Sequence, residues 1–306
     1  MNKDVEQSRA RVSRRRALAL GGTVGLSGLI AACAGNGSSG SSSTSAAAAT
    51  TGSGASGSAP ASSDVMALLA QAPQCVTSLE ETQGPYWFDV DSIRNDIRED
   101  RPGTTFELAL RVQEAATCTP EGGGGVANAV VEIWHCDAGG VYSGFESGSL
   151  GANGAPPSGR PPTGGQAPQG GAGAPGGEAS GETSNGSYSV GDIEATTTDD
   201  GTYLRGAQTT DSNGVATFTT IFPGWYPGRT THIHLKVHVD TKTVLTTQLF
   251  FEEDLLDEIY ATSPYDEHTG REQNVDNSTD TIFDESGMVT VVKTADGYRG
   301  AINIGV

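Results

Sequence analysis

The chain has 306 residues, a formal net charge of −19, 43 glycines and only 35% hydrophobic residues. Glycine shows no period of three, which excludes collagen, and so acidic a chain lacks the clustered Lys and Arg that nucleic-acid phosphates need. Once a leader and two weakly apolar stretches are set aside, about two hundred residues remain, enough for one sizeable core.

Residues 1–33 read as an export signal. Lys3, Arg9, Arg11, Arg14, Arg15 and Arg16 precede a mild, glycine-broken apolar run ending at Ile30. The run is too short to span a bilayer, which takes about 20 apolar residues, and a basic segment before a short apolar one marks export. Ser13-Arg14-Arg15-Arg16-Ala17-Leu18 resembles a twin-arginine signal. Ile30-Ala31-Ala32-Cys33 resembles a lipobox, in which Cys33 is lipidated and becomes the mature N-terminus. A plain secretory signal with an incidental cysteine is the alternative. From Cys33 onward 12 basic residues face 35 acidic ones, a net of −23.

Residues 34–63 contain no charge and no Ile, Leu, Val, Met, Phe, Tyr or Trp. Such a segment cannot offset its ordering entropy. It reads as a disordered Ser/Ala/Gly tether with a reach of roughly 30 Å, holding a globule clear of a membrane.

The folded domain is expected over 64–306. Val65 to Ala70 is apolar enough for one or two helical turns. Beyond it the hydrophobic period is two, the mark of strands with one buried face. The expected strands are 106–112, 130–134, 215–222, 231–239, 244–251, 288–292 and 301–304, with turn signals at 122–125, 211–214 and 296–297. Only Glu253 to Tyr260 has a helical pattern after residue 75. Of the 36 residues 151–186, 18 are Gly or Pro, so this stretch reads as a disordered surface insert. The fold class is all-β: an antiparallel β-sandwich with long loops and few short helices.

Cys75, Cys118 and Cys136 lie in this domain. Export permits a disulfide. Cys118 and Cys136 flank the 122–125 turn at the outer ends of two expected strands, which favours that pair; three buried thiols are the alternative.

The densest chemistry lies in Phe222-Pro223-Gly224-Trp225-Tyr226-Pro227-Gly228-Arg229-Thr230-Thr231-His232-Ile233-His234. On a strand, His232 and His234 project to the same side, and imidazole suits a transition metal. The bland reading is two polar residues on a wet strand face. Tyr226, six residues earlier in a Pro/Gly turn, changes the balance, because a phenolate is a hard anionic ligand suited to Fe(III), whereas zinc sites use Cys, His and carboxylate.

With these residues in view, the segment from Tyr203 through His234 resembles the core of the intradiol ring-cleavage dioxygenases, the family of protocatechuate 3,4-dioxygenase and catechol 1,2-dioxygenase. Three further blocks match in order: Glu81 to Tyr86, Val131 to Tyr142, and Thr246 to Phe251. The resemblance covers about residues 75–300 outside the insert and implies one non-haem Fe(III) per chain. Tyr226 matches the axial tyrosinate, Tyr142 the second tyrosinate, and His232 and His234 the imidazole ligands. Arg229 matches the arginine that stabilises charge on the bound ring. Gln248 matches a glutamine near the oxygen site, with Gly84, Pro85, Tyr86 and Trp225 around the pocket. Tyr226 doubles as a base toward the incoming diol. The substrates implied are a catechol-type diol and O2, and the product a cis,cis-muconate-type acid.

Each residue has a plainer reading: Tyr142 a strand-end tyrosine, Gln248 a core amide, Tyr86 a packed aromatic. His135 is expected to be structural, His238 solvated and His268 in a surface loop. The chain lacks the dimerising N-terminal helices of the catechol-cleaving members, though a sandwich edge can pair two copies as a homodimer. The export signal instead resembles an anchored, lipoprotein-type subgroup. Competing functions are a non-catalytic surface-binding sandwich and a zinc enzyme using the His-x-His strand. The latter requires a carboxylate or third histidine where the tyrosines stand.

Overall fold

The computed structural model describes residues 62–74, 76–119, 123–149 and 179–306. The export signal with Cys33, nearly all of the tether, Cys75 and most of the insert therefore lie outside the described residues.

Two four-stranded sheets face each other. The first contains β1 (Thr105–Gln113), β6 (Val215–Ile221), β9 (Thr290–Lys293) and β10 (Gly297–Gly305), in the order β6-β1-β10-β9. The second contains β2 (Val130–Trp134), β5 (Arg205–Thr209), β7 (His232–Val239) and β8 (Lys242–Phe250), in the order β5-β2-β7-β8. All pairings are antiparallel except β1 with β10, which run parallel. Phe106, Leu108 and Leu110 of β1 meet Val131 and Ile133 of β2 and Ile233, Leu235 and Val237 of β7 in one apolar core. This is the period-two alternation expected from the sequence, and each large core side chain contributes about 1.5–3 kcal/mol by leaving water.

Helix α1 (Ser63–Leu69) buries Val65, Leu68 and Leu69 against Ala109, Val215 and Ala301 of the first sheet. Helix α2 (Glu253–Tyr260) falls where its period placed it and buries Leu256, Ile259 and Tyr260. Among the described residues no helix is long and apolar enough to cross a membrane.

The structure corrects the sequence reading in three places. The expected disordered insert 151–186 ends in order: Ala179–Asn185 is a strand, β3, that forms a hairpin with β4 (Val190–Ala195). Cys136 is a free buried thiol, and the disulfide of Cys118 goes elsewhere. The reason is positional. Cys118 sits beside Gly124 in the 122–125 turn, whereas Cys136 follows the opposite end of β2. His238 is buried, not solvated, and its ring nitrogens meet Glu132 Oε2 at 3.2 Å and Thr243 Oγ1 at 3.0 Å. His268 sits in a loop at partial exposure, as expected, and stacks on Trp225 with ring centroids 4.0 Å apart.

The His238 error has a wider cause. The polar face of β7, bearing His232, His234, Lys236 and His238, is buried as fully as its core face. The 84–91 segment and the β3–β4 hairpin cover it. Lys236 pairs with Asp192 of β4 and lies 4.0 Å from the Trp87 ring centroid, and Trp87 Nε1 donates to Glu132 Oε2. Buried charges persist only when paired in this way.

Candidate metal centre

Three neighbouring strands set one row of side chains. In the register, Trp134 of β2 stands opposite His234 of β7, and His234 stands opposite Gln248 of β8. Opposed residues in a ladder point to the same face. The Trp134 and His234 rings stack at 4.9 Å, within 4° of parallel. His232 lies two residues earlier on that face. It therefore sits at the end of the sheet where β2 exits toward Tyr142 and where the 222–231 loop enters with Tyr226.

The two tyrosine-bearing segments are tied together. Asp137 Oδ1 accepts from the Gly139 and Val141 amides, closing the turn before Tyr142. The Asp137 carbonyl accepts from the Gly224 amide, in the loop carrying Tyr226. A Cβ on Gly224 would lie 2.4 Å from that carbonyl oxygen, so the crossing has room only for glycine. Behind Tyr142, the fully buried Arg205 donates through Nε to Ser143 Oγ and through Nη2 to Ser143 O, both at 2.8 Å.

The four expected ligands converge. Tyr226 Oη is 3.1 Å from His232 Nε2, which is 3.2 Å from His234 Nε2. The Tyr142 ring lies 5.9 Å from that of Tyr226 and 6.1 Å from that of His234, centroid to centroid. His232 Nδ1 is 2.7 Å from the Thr230 carbonyl, which can only accept, so Nδ1 carries the proton and Nε2 a lone pair. Burial, with the Arg229 guanidinium nearby, pushes His232 down to about 3, and burial with His232 alongside pushes His234 well down. Both imidazoles are neutral at pH 7, the form in which histidine binds a metal. Burial pushes the Tyr142 and Tyr226 phenols up, so each ionises only against a strong positive charge.

Without a cation this cluster is badly satisfied. The single Nε2 lone pair of His232 faces both the Tyr226 hydroxyl and His234 Nε2. Tyr142 Oη is buried with no hydrogen-bond partner. Two imidazole nitrogens 3.2 Å apart suit adjacent ligands of one ion, since metal–imidazole bonds of about 2.0–2.1 Å bring such ligands to about 3 Å. Among the described residues no group of three His, Cys, Asp or Glu could hold a metal. An ion bound by the imidazoles would therefore take its other protein donors from the phenols, a set that suits a hard trivalent ion. The residues fit Fe(III).

The remaining expected residues divide. Arg229 donates through Nη2 to Gln248 Oε1 at 2.7 Å and through Nε to Asp280 Oδ2 at 2.8 Å, and Gln248 Nε2 donates to the Thr82 carbonyl at 3.0 Å. Gly84 lies against His234. Pro85 starts the turn beyond it, and Tyr86 is buried and stacks on Tyr142 at 4.6 Å. Trp225 points into the sandwich core and against His268, so it packs rather than lines the cluster. His135 is structural as expected, buried with Nδ1 at the Cys136 carbonyl and Nε2 at Thr220 Oγ1. A separate cleft of about 350 Å³ lies beside Arg101, Asp137, Val141 and His268 and includes none of the four expected ligands. Sequence reasoning missed Asp280, Arg205 and Trp134 as supports. Their roles depend on contacts between distant segments, and no local pattern signals them.

Gly84 has φ +70°, and a Cβ there would lie 3.1 Å from His234 Cε1. Gly84→Ala is expected to cost about 1–2 kcal/mol through left-handed backbone strain and to weaken iron binding by about tenfold by turning the ring. Gly191 is the control: it too is left-handed, at φ +96°, with nothing within 4 Å. Gly191→Ala should lower the melting temperature and leave the iron titration unchanged. Equal loss of iron affinity in both variants would refute the contact argument.

A scan against family models and a search of curated proteins each return no match. The likeness is to solved structures. The intradiol ring-cleavage dioxygenase from Tetranychus urticae is 28% identical with a TM-score of 0.57, the alignment covering 76% of this chain and 94% of that one. A second solved dioxygenase is 28% identical with a TM-score of 0.55 and the same coverages. The chain has the fold of the intradiol ring-cleavage dioxygenases.

Proposed function

We propose that this protein is a ferric, non-haem intradiol dioxygenase that cleaves a catechol-type diol with O2. The carbon–carbon bond between the two hydroxyl-bearing carbons breaks, both oxygen atoms enter the product, and a cis,cis-muconate-type diacid results. One observation carries the reading: two neutral imidazoles and two phenols meet at one point, with a contested lone pair and an orphaned buried hydroxyl among them. The likeness to the 28%-identical dioxygenase of Tetranychus urticae supports it.

Tyr142, Tyr226, His232 and His234 would hold the iron. Bound Fe(III) supplies a Lewis acid that draws in the ionised diol and makes its ring reactive toward O2. The chain's own groups do the rest. Tyr226 Oη is the atom suited to take a proton from the arriving diol, because Tyr226 is half-buried whereas Tyr142 is sealed at 1% exposure. Arg229 keeps its charge at any working pH and is held rigidly by Asp280 and Gln248, so it offers a fixed positive field to charge developing on the ring. Tyr86, stacked on Tyr142, and the 81–84 segment wall the cluster from water.

The exported, lipid-anchored address read from residues 1–33 is part of the proposal. Fractionation that finds the protein in the cytoplasm would reject it. The catalytic reading is tested by oxygen uptake with catechol, protocatechuate and hydroxyquinol. One O2 should be consumed per diol, and labelled oxygen should appear on both new carboxyl groups. Absence of uptake by iron-loaded protein with every diol would reject it.

A further inference from the structure

The geometry points to Asp280 as the positioning residue of this centre, setting Arg229 directly and His232 through Thr230. This inference builds on the ferric reading. Asp280 lies in the connection between α2 and β9, 46 residues beyond His234, and its side chain is only 1% exposed. One oxygen, Oδ2, accepts from Arg229 Nε at 2.8 Å and from the Thr230 amide at 2.7 Å. The other, Oδ1, accepts from the Ile282 amide at 2.8 Å. The carboxylate is thus fixed before it fixes anything else.

Each contact has a consequence at the centre. The Nε bond leaves Arg229 Nη2 aimed at Gln248 Oε1. A guanidinium is planar, so fixing Nε and one Nη fixes the whole group. The amide bond fixes the Arg229–Thr230 peptide unit and so places the Thr230 backbone. The Thr230 carbonyl, in the next peptide unit, meets His232 Nδ1 and selects the tautomer with Nδ1 protonated. Nearby, Asn274 accepts from the Gly228 amide and donates to the Arg229 carbonyl, and Asn277 accepts from Thr230 Oγ1. These neutral contacts hold the loop in place. Asp280 alone among them puts a charged group against both the arginine and the backbone of the residue whose carbonyl meets His232.

The two functions separate by substitution. Asp280→Asn keeps an acceptor for the Thr230 amide but removes the charge facing Arg229. It should retain one iron per chain and the His232 tautomer, shift the Arg229 Nε–H resonance, and lower kcat about 10–100-fold with KM within threefold. Asp280→Ala removes both contacts. It should also mix the His232 tautomers and lower iron affinity about tenfold. The two resonances are read by nitrogen-15 NMR on the metal-free full chain, with Arg229→Lys assigning the first. If Asp280→Ala does not fold, Asp280→Asn decides alone. An unmoved Arg229 signal, or kcat within twofold of the parent in Asp280→Asn, overturns the assignment, as does an unchanged His232 spectrum in a folded Asp280→Ala. A parent protein that binds no Fe(III) refutes the ferric reading separately, and the NMR signals then decide the role of Asp280.

Discussion

Replacing Tyr142 with phenylalanine should stabilise the metal-free protein while destroying its affinity for iron. The Tyr142 hydroxyl is buried without a partner, and its ring is held on one side by Tyr86. An orphaned buried hydroxyl costs about 1–3 kcal/mol, and Phe keeps the ring and discards the cost. For a domain of this size that is a rise of about 2–12 °C in the metal-free melting temperature. Iron affinity should fall by more than the 10–100-fold typical of outer-shell losses, because a donor atom itself is gone. A purely structural tyrosine predicts the opposite sign, since losing a satisfied hydrogen bond costs about 0.5–1.5 kcal/mol. Calorimetry of the two metal-free proteins, with iron titrations, separates the readings. A lower melting temperature in Tyr142→Phe would contradict the assignment of Tyr142 as a ligand.

Arg229→Lys should be nearly as damaging as outright removal of the side chain. Charge is preserved, but a single ammonium cannot reproduce the planar fork that reaches Asp280 and Gln248 together. Loss of a fixed group that stabilises developing charge costs about 10²–10³-fold in kcat, or about 2.7–4 kcal/mol. Arg229→Met should add a folding cost of about 3–5 kcal/mol, because it strands the Asp280 carboxylate in the interior. Iron stoichiometry should stay at one per chain in Arg229→Lys, since Arg229 is not a donor to the metal. Steady-state kinetics beside metal analysis checks this, and a lysine variant within threefold of the parent kcat would show that the fork is not needed.

What the sequence made legible were features written locally. The alternation on β7 placed His232 and His234 on one face, and the Pro/Gly turn marked Tyr226 as able to fold back toward them. The strands from β1 to β10 followed period two, except β3, β4 and β5. Ala179–Asn185 and Arg205–Thr209 escaped because they carry few large apolar residues to mark a face, and Val190–Ala195 because its two, Val190 and Ile193, are three apart and both exposed. Register was the main thing hidden. Only the pairing of β2, β7 and β8 brings Trp134, His234 and Gln248 into one row. Alternation likewise shows that one face of β7 is apolar but not that the other is covered by the 84–91 segment and the β3–β4 hairpin. The disulfide error has the same origin, since the turn between Cys118 and Cys136 gave no measure of the length of β2 separating them.

Binding of Fe(III) by Tyr226 and Tyr142 beside His232 and His234, as proposed, carries a visible signature. Metal analysis together with the visible spectrum of the full chain tests it most directly. The expected result is one Fe(III) per chain and a broad tyrosinate-to-iron band that gives a burgundy colour, shifts on anaerobic addition of catechol and changes in Tyr226→Phe. A colourless protein holding one zinc per chain, or an iron protein whose spectrum is indifferent to Tyr226→Phe, would contradict it.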